Sequence, residues 1–209
     1  LCSLVPKRCM DDPTVLQLAD ASIRAAFAPV STAALHLQSA AAQLLVAIFG
    51  EYGQHRQSIL LSVVDGRLEA AEQPVRATHA LPNGLKVQLF TALVLQMVQV
   101  CAPLVLTSAD AANAATVAHA ARTPPSADGS SPAAHTKLHP FKGAVFGAAS
   151  VLVQVLVTRA LERGDDPDAR ALLEVFARDC LELIGLVDWP ASAACSSLLA
   201  GVLCRRLGT

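Results

Sequence analysis

Aromatic residues are nearly missing from this 209-residue chain: it has one Trp and one Tyr, and aromatics total 4%. Sheets fill their pleated, half-buried surfaces with aromatic and β-branched side chains, so this shortage argues against an all-β sandwich or barrel. Charge is sparse too. Only 16% of residues are charged and the formal net charge is −1. No global field therefore draws the chain to nucleic acid or anionic lipid, and any such contact has to come from a local patch. A disordered polar chain is excluded for the opposite reason. Apolar residues make up 53%, whereas disorder needs high charge and low hydrophobicity.

Further absences narrow the chemistry. No GxGxxG, P-loop or GxSxG run occurs, and no nucleophile, base and orienter fall into a recognisable group. The sequence thus points to no catalytic residue and no cofactor. The six cysteines, Cys2, Cys9, Cys101, Cys180, Cys195 and Cys204, form no CxxC pair. Four of them sit in apolar runs, where a thiol behaves as a small hydrophobe, and we read a reducing compartment with no metal site. The first residue is Leu1, and no basic segment precedes a hydrophobic run. That excludes a signal peptide and suggests a piece of a longer chain.

What is present is alanine, roughly a fifth of the chain, against a background nearer ~8%. With leucine in similar bulk, it favours helix. Mean hydropathy is +0.46, which raises the question of a membrane. The most apolar stretches are Leu89–Leu106 and Ala144–Val157. The first is broken by Thr91, Gln96 and Gln99, and the second falls short of the ~20 residues a bilayer needs. Buried helices of a water-surrounded array explain both.

Seven helices are predicted. The first runs from Thr14 to Ala28, started by Asp11, Asp12 and Pro13. The second is capped by Ser31 and stops at Gly50. The third covers Gln54 to Glu69, with Ile59, Leu60, Val63, Val64 and Leu68 on one face at a 3.6-residue period and Gly66 weakening its last turns. A break follows from Gln73 to Gly84, with Pro74, Pro82 and the turn pair Asn83-Gly84. The fourth helix runs from Leu85 to Leu106 with a narrow polar stripe of Gln88, Thr91, Gln96 and Gln99. The fifth spans Pro140 to Arg163. The sixth begins at Asp165, Asp166 and Asp168 and ends near Val187, with Glu174, Arg178 and Glu182 able to pair along its wet side. The last starts at Pro190, where a missing N–H costs nothing, and ends at Arg205 and Arg206, which suit the helix dipole. Between the fourth and fifth, residues 108–137 are alanine-rich and then Pro-, Ser- and Gly-rich, and we read them as a disordered insertion. The expected organisation is 11–107 helices, 108–137 insertion and 138–207 helices, as an all-α, HEAT-type array of antiparallel helical repeats.

Several residue groups invite a functional reading. His135 and His139 have a His-x3-His spacing, but flanking prolines and the lack of a third ligand favour a solvated loop shared with His119. The three aspartates lack the spacing of a calcium loop and fit a helix N-terminus. Gly143 and Gly147, four apart, suit close helix packing. Trp189 is read as a turn residue packed against adjoining helices. Arg56, Arg67, Arg76 and Lys86 lie on or beside the third helix and the following loop, so they are the candidate phosphate contacts along one rim of the array.

At this point the residues resemble a known family. The run Phe90-Thr91-Ala92-Leu93-Val94-Leu95-Gln96-Met97-Val98-Gln99 is similar to a helix of the Nipped-B-like cohesin loading factors, the large subunit of the sister-chromatid cohesion loader. His55-Arg56-Gln57-Ser58-Ile59-Leu60 resembles the same family one helix earlier. Leu172 through Leu183, then Asp188-Trp189-Pro190-Ala191 and the leucine-rich last helix, resemble it in order and spacing. The likeness covers Leu44 to Leu207 apart from the insertion. It marks Trp189, Pro190, Phe90 and Leu93 as structural positions. The resemblance implies a hook-shaped HEAT solenoid in the nucleus that loads the cohesin ring onto chromatin. It also implies contacts with the SMC heads, the kleisin and DNA, stimulation of the SMC ATPase without hydrolysis by the loader, and no membrane. The smaller loader subunit would bind elsewhere in the full-length protein. The loop after the third helix, basic in relatives, carries one arginine and two glutamates in Glu69–Ala77. An unrelated helical-repeat adaptor is the alternative reading, and a membrane-embedded helical protein a further one.

Overall fold

Proline at an N-terminal position and an apolar residue every third or fourth place make the first helix. In the computed structural model, which describes residues 10–28, 34–69, 78–81, 83–101, 139–161 and 166–207, α1 spans Asp12–Ala26 with Pro13 in its first turn. Val15, Ala19, Ile23 and Ala26 form its buried face, as the helical repeat requires. Helix α2, Ala34–Glu51, runs one residue past the glycine at which a stop is expected. A single 3-10 turn, Gly53–His55, leads into α3, Arg56–Glu69. His55 and Asp12 meet at 2.9 Å and tie the start of α1 to that turn. This hydrogen bond holds the Asp12 carboxyl below its ordinary range.

Gly66 does more than loosen the end of α3. A Cβ at that position would lie 2.7 Å from the Cγ2 of buried Ile23 on α1, so the glycine is what lets the two helices approach.

The break before the fourth helix contains structure that the sequence reading missed. Strands β1, Thr78–Ala80, and β2, Lys86–Gln88, pair antiparallel with His79 opposite Val87. Gly84 takes φ +83° in the connecting turn, a conformation that glycine enters without a Cβ penalty. Asn83 Oδ1 accepts from the Leu85 N–H at 3.1 Å, and Leu81 N–H donates to the Leu85 carbonyl at 2.8 Å. Leu85 to Gln88 are therefore turn and strand, not the first turn of a helix. Leu81 and Val87 turn inward, and this burial fixes the extended form.

Helix α4 is accordingly shorter, Leu89–Val100. Phe90 through Leu95, with Met97 and Val98, are all buried, so α4 is enclosed on nearly every side. Helix α5 spans His139–Leu161. Helix α6, Pro167–Leu183, is capped by Asp166, whose Oδ1 accepts from the N–H groups of Asp168 and Ala169 at 3.0 and 3.2 Å. It stops four residues before the expected Val187, because Gly185 adopts φ +88° just past its end, the conformation that terminates many helices. Helix α7, Pro190–Leu207, closes the described chain. The expected cap Ser31 and the 108–137 segment, with His119 and His135, lie outside the described residues.

The helices pack as a two-layered file. One row runs α1, α3, α5 and the other α2, α4, α7, with α1 against α2 and α6 against both α5 and α7. The hairpin lies on α4 and α6. Phe90 and Phe176 meet edge-on with centroids 6.4 Å apart, and with Phe49, Leu45, Ile48, Leu60, Leu93 and Leu152 they fill the centre. Burying each such side chain stabilises the fold by about 1.5–3 kcal/mol. Among the described residues no helix is long and apolar enough to cross a membrane.

Candidate interaction surfaces

Of the basic positions singled out from sequence, the three described ones, Arg56, Arg67 and Lys86, do not share one rim. Arg56 opens α3 and Arg67 lies in its last turn. Eleven residues at ~1.5 Å each separate them by roughly 16 Å along the axis. Arg56 is engaged internally. Its Nε donates to the Phe49 carbonyl at 3.0 Å, its Nη2 to the Gly50 carbonyl at 2.9 Å, and its guanidinium stacks on the Phe49 ring at 5.7 Å. It thus caps the C-terminus of α2, whose last carbonyls lack helical partners. Lys86 is exposed on β2, Arg67 is half-buried, and Arg76 lies outside the described residues. The hairpin that carries Lys86 packs on α4 and α6, whereas α3 packs mainly on α1 and α5 and touches α6.

Other charges behave differently from the simple helical pattern. Arg178 approaches Asp179 at 3.7 Å, not Glu174 or Glu182. Arg159 on α5 donates to Asp65 on α3 at 2.8 Å and joins two helices of one row. Beside it, two shallow depressions flank α5, one toward α3 and one toward α7, and share Gln154 and Thr158 in their lining. Arg205 and Arg206 line the depression on the α7 side. Gly147 also faces open space, where a Cβ would meet nothing within 4 Å. The expected packing role of Gly147 is therefore replaced by a bare surface position.

One buried polar centre escaped sequence reasoning. Asp179 sits on the apolar face of α6 and is 2% exposed. Its Oδ2 accepts from the Gln88 N–H at 2.9 Å and from the Thr91 hydroxyl at 2.8 Å. It anchors the start of α4 from another helix by taking up the N–H of the N-cap residue Gln88 and the Thr91 hydroxyl. The signal was an acid at a core position, between Phe176 and Leu183 in the helical repeat. Two members of the polar stripe of α4 thus find partners on other segments: Thr91 reaches Asp179, and Gln99 donates to the Asp188 carbonyl at 2.8 Å.

Trp189 is buried at the entrance to α7 and meets His79 of β1 edge-on, with centroids 6.1 Å apart. Its carbonyl accepts from the Ser192 hydroxyl at 2.7 Å. Pro190 follows as the first residue of α7, and Phe90 and Leu93 lie in the core of α4. Among the described residues no three His, Cys, Asp or Glu side chains are grouped to hold a metal ion.

The chain is similar to Nipped-B-like protein B of Danio rerio, 28% identical over 211 residues, and to the Nipped-B-like protein of Mus musculus, 26% identical over 213 residues. Each alignment covers 97% of this chain and 7% of the relative. The chain therefore spans a small part of the length of the proteins it resembles. Its fold matches the C-terminal fragment of the Chaetomium thermophilum cohesin loader SCC2 with a TM-score of 0.71 at 21% identity, over 98% of this chain and 15% of that one. The match supports the HEAT-type fold read from sequence. No protein-family profile matches the chain.

Proposed function

We propose that this chain is a HEAT-repeat segment of a cohesin loader, acting in the nucleus to promote loading of the cohesin ring onto chromatin. The observation that carries the reading is the continuity of the Nipped-B likeness across nearly the whole chain. The two-layered helical file of the same fold as a cohesin loader fragment supports it. In this reading the segment performs no catalysis and needs no cofactor. It holds SMC heads, kleisin and DNA in an arrangement that favours ATP hydrolysis by the SMC subunits. Physically this is preferential binding to one conformation of a partner, which shifts that partner's population. Stacked repeats suit the task because they present extended surfaces on a scaffold that bends. The smaller loader subunit would sit elsewhere on the full-length protein. For DNA, Lys86 and Arg67 are better phosphate contacts than Arg56, which is occupied by α2.

The test is depletion of the protein in its own cells, followed by quantification of chromatin-bound cohesin and of sister-chromatid cohesion. Both are expected to fall. Unchanged cohesin occupancy after complete depletion would rule the loader role out.

A further inference from the structure

The turn between α6 and α7 carries apolar side chains that the core does not use. Residues alternate there with a period of three. Leu183 and Trp189 are buried and Leu186 is partly buried against the core. Leu181, Ile184 and Val187 point the other way and are 64%, 47% and 93% exposed. The stripe of α6 that leads to Leu181 is otherwise wet, with Glu174 and Arg178 exposed. A helix that only needed to face water would carry a polar residue at 181. Isolated surface leucines are ordinary, but three large apolar residues exposed from the last turn of α6 into the connection after it form a patch.

The patch is held in shape. Ile184 N–H donates to the Leu181 carbonyl at 3.3 Å, Leu186 N–H to that of Leu183 at 3.1 Å and Trp189 N–H to that of Leu186 at 3.0 Å. The Gln99 side chain braces the turn from α4 through the Asp188 carbonyl. A surface already ordered loses little conformational freedom on binding. The exposed charge beside it is mainly acidic. Glu182 and Asp188 are exposed beside the apolar residues. Arg178, one turn back on α6, is exposed and lies 3.7 Å from Asp179, so Glu182 and Asp188 leave the tip net negative.

We propose that this tip is a docking knob for a partner segment that combines large apolar side chains with Lys or Arg. Apolar contact supplies the attraction, and the paired acids select a basic partner and repel an acidic one. The knob rests on exposure and charge alone, so it stands or falls separately from the cohesin reading.

Two fluorescent amphipathic peptides, one of Leu and Lys and one of Leu and Glu, serve as probes against the full chain. The Leu/Lys peptide is expected to bind more tightly, with affinity falling as salt rises. The double variant Ile184→Asp, Val187→Asp is expected to weaken it by about tenfold or more. The variant Glu182→Lys, Asp188→Lys leaves the apolar residues in place and is expected to reverse the preference toward the Leu/Glu peptide. Equal binding of both peptides, or equal binding by the wild type and the Asp variant, would overturn the knob. So would self-association of the chain through this tip, seen as a concentration-dependent dimer lost in the Asp variant without any peptide binding.

Discussion

Asp179 shows how a single residue can serve two elements. Its backbone belongs to α6, while its carboxylate completes the N-terminus of α4 through Gln88 and Thr91. Removing it strands a backbone donor and a fully buried hydroxyl, each costing about 1–3 kcal/mol when left unpaired. Asp179→Ala is therefore expected to destabilise the chain by about 3 kcal/mol, measured by urea unfolding. Asp179→Asn keeps an accepting oxygen and should lose less than half of that. A neutral Ala variant would show that α4 needs no such anchor. Arg56 teaches the same lesson with opposite charge. Its sequence context offered a rim cation, yet the carbonyls at the end of α2 claim it, because a guanidinium satisfies several acceptors at once.

At the scale of elements, helices were legible wherever punctuation and periodicity agreed. Pro13, Pro190 and Asp166 mark starts, and the buried faces of α1 and α6 follow from their apolar spacing. The hairpin was not legible. Two three-residue strands are too short for a period-two pattern to stand out, and their inward residues acquire a core only when α4 and α6 arrive. Trp189 is the far wall of that arrangement. Trp189→Ala is expected to cost about 2–4 kcal/mol through the lost burial. Amide exchange should also quicken at Leu81 in the hairpin, since His79 loses its aromatic neighbour. An unchanged melting temperature would contradict the burial, and unchanged exchange would uncouple the hairpin from the turn.

For the whole molecule, burial decides how the cysteines behave. Among the described residues Cys101, Cys180 and Cys195 are buried and Cys204 is exposed. Burial pushes the Cys101 thiol up, with a smaller opposing pull from Arg56. A hydrogen bond with Cys195, and then burial, push Cys180 up as well. A raised thiol value means less thiolate at a given pH, and the thiolate is the reactive form. Iodoacetamide labelling read by peptide mass spectrometry should therefore modify Cys204 first among the described cysteines. Cys101, Cys180 and Cys195 should react more than about tenfold more slowly until the chain unfolds. Labelling of Cys180 at the rate of Cys204 would mean that α6 and α7 separate readily in the native state.

Sequence by itself determined that this chain makes helices, where most of them begin, and which faces they bury. Those properties are local, written in spacing, capping residues and prolines. Its likeness to the loader family was legible for a related reason, since the order of several helical runs survives along the chain. Only the tertiary structure decided which polar and charged groups stay free. Arg56, Asp179, Thr91 and Gln99 each found a partner on a distant segment or a neighbouring helix end, while Leu181, Ile184 and Val187 were left facing water. Whether a side chain is spent inside or offered outside depends on what packs beside it, and no periodicity along one element carries that information.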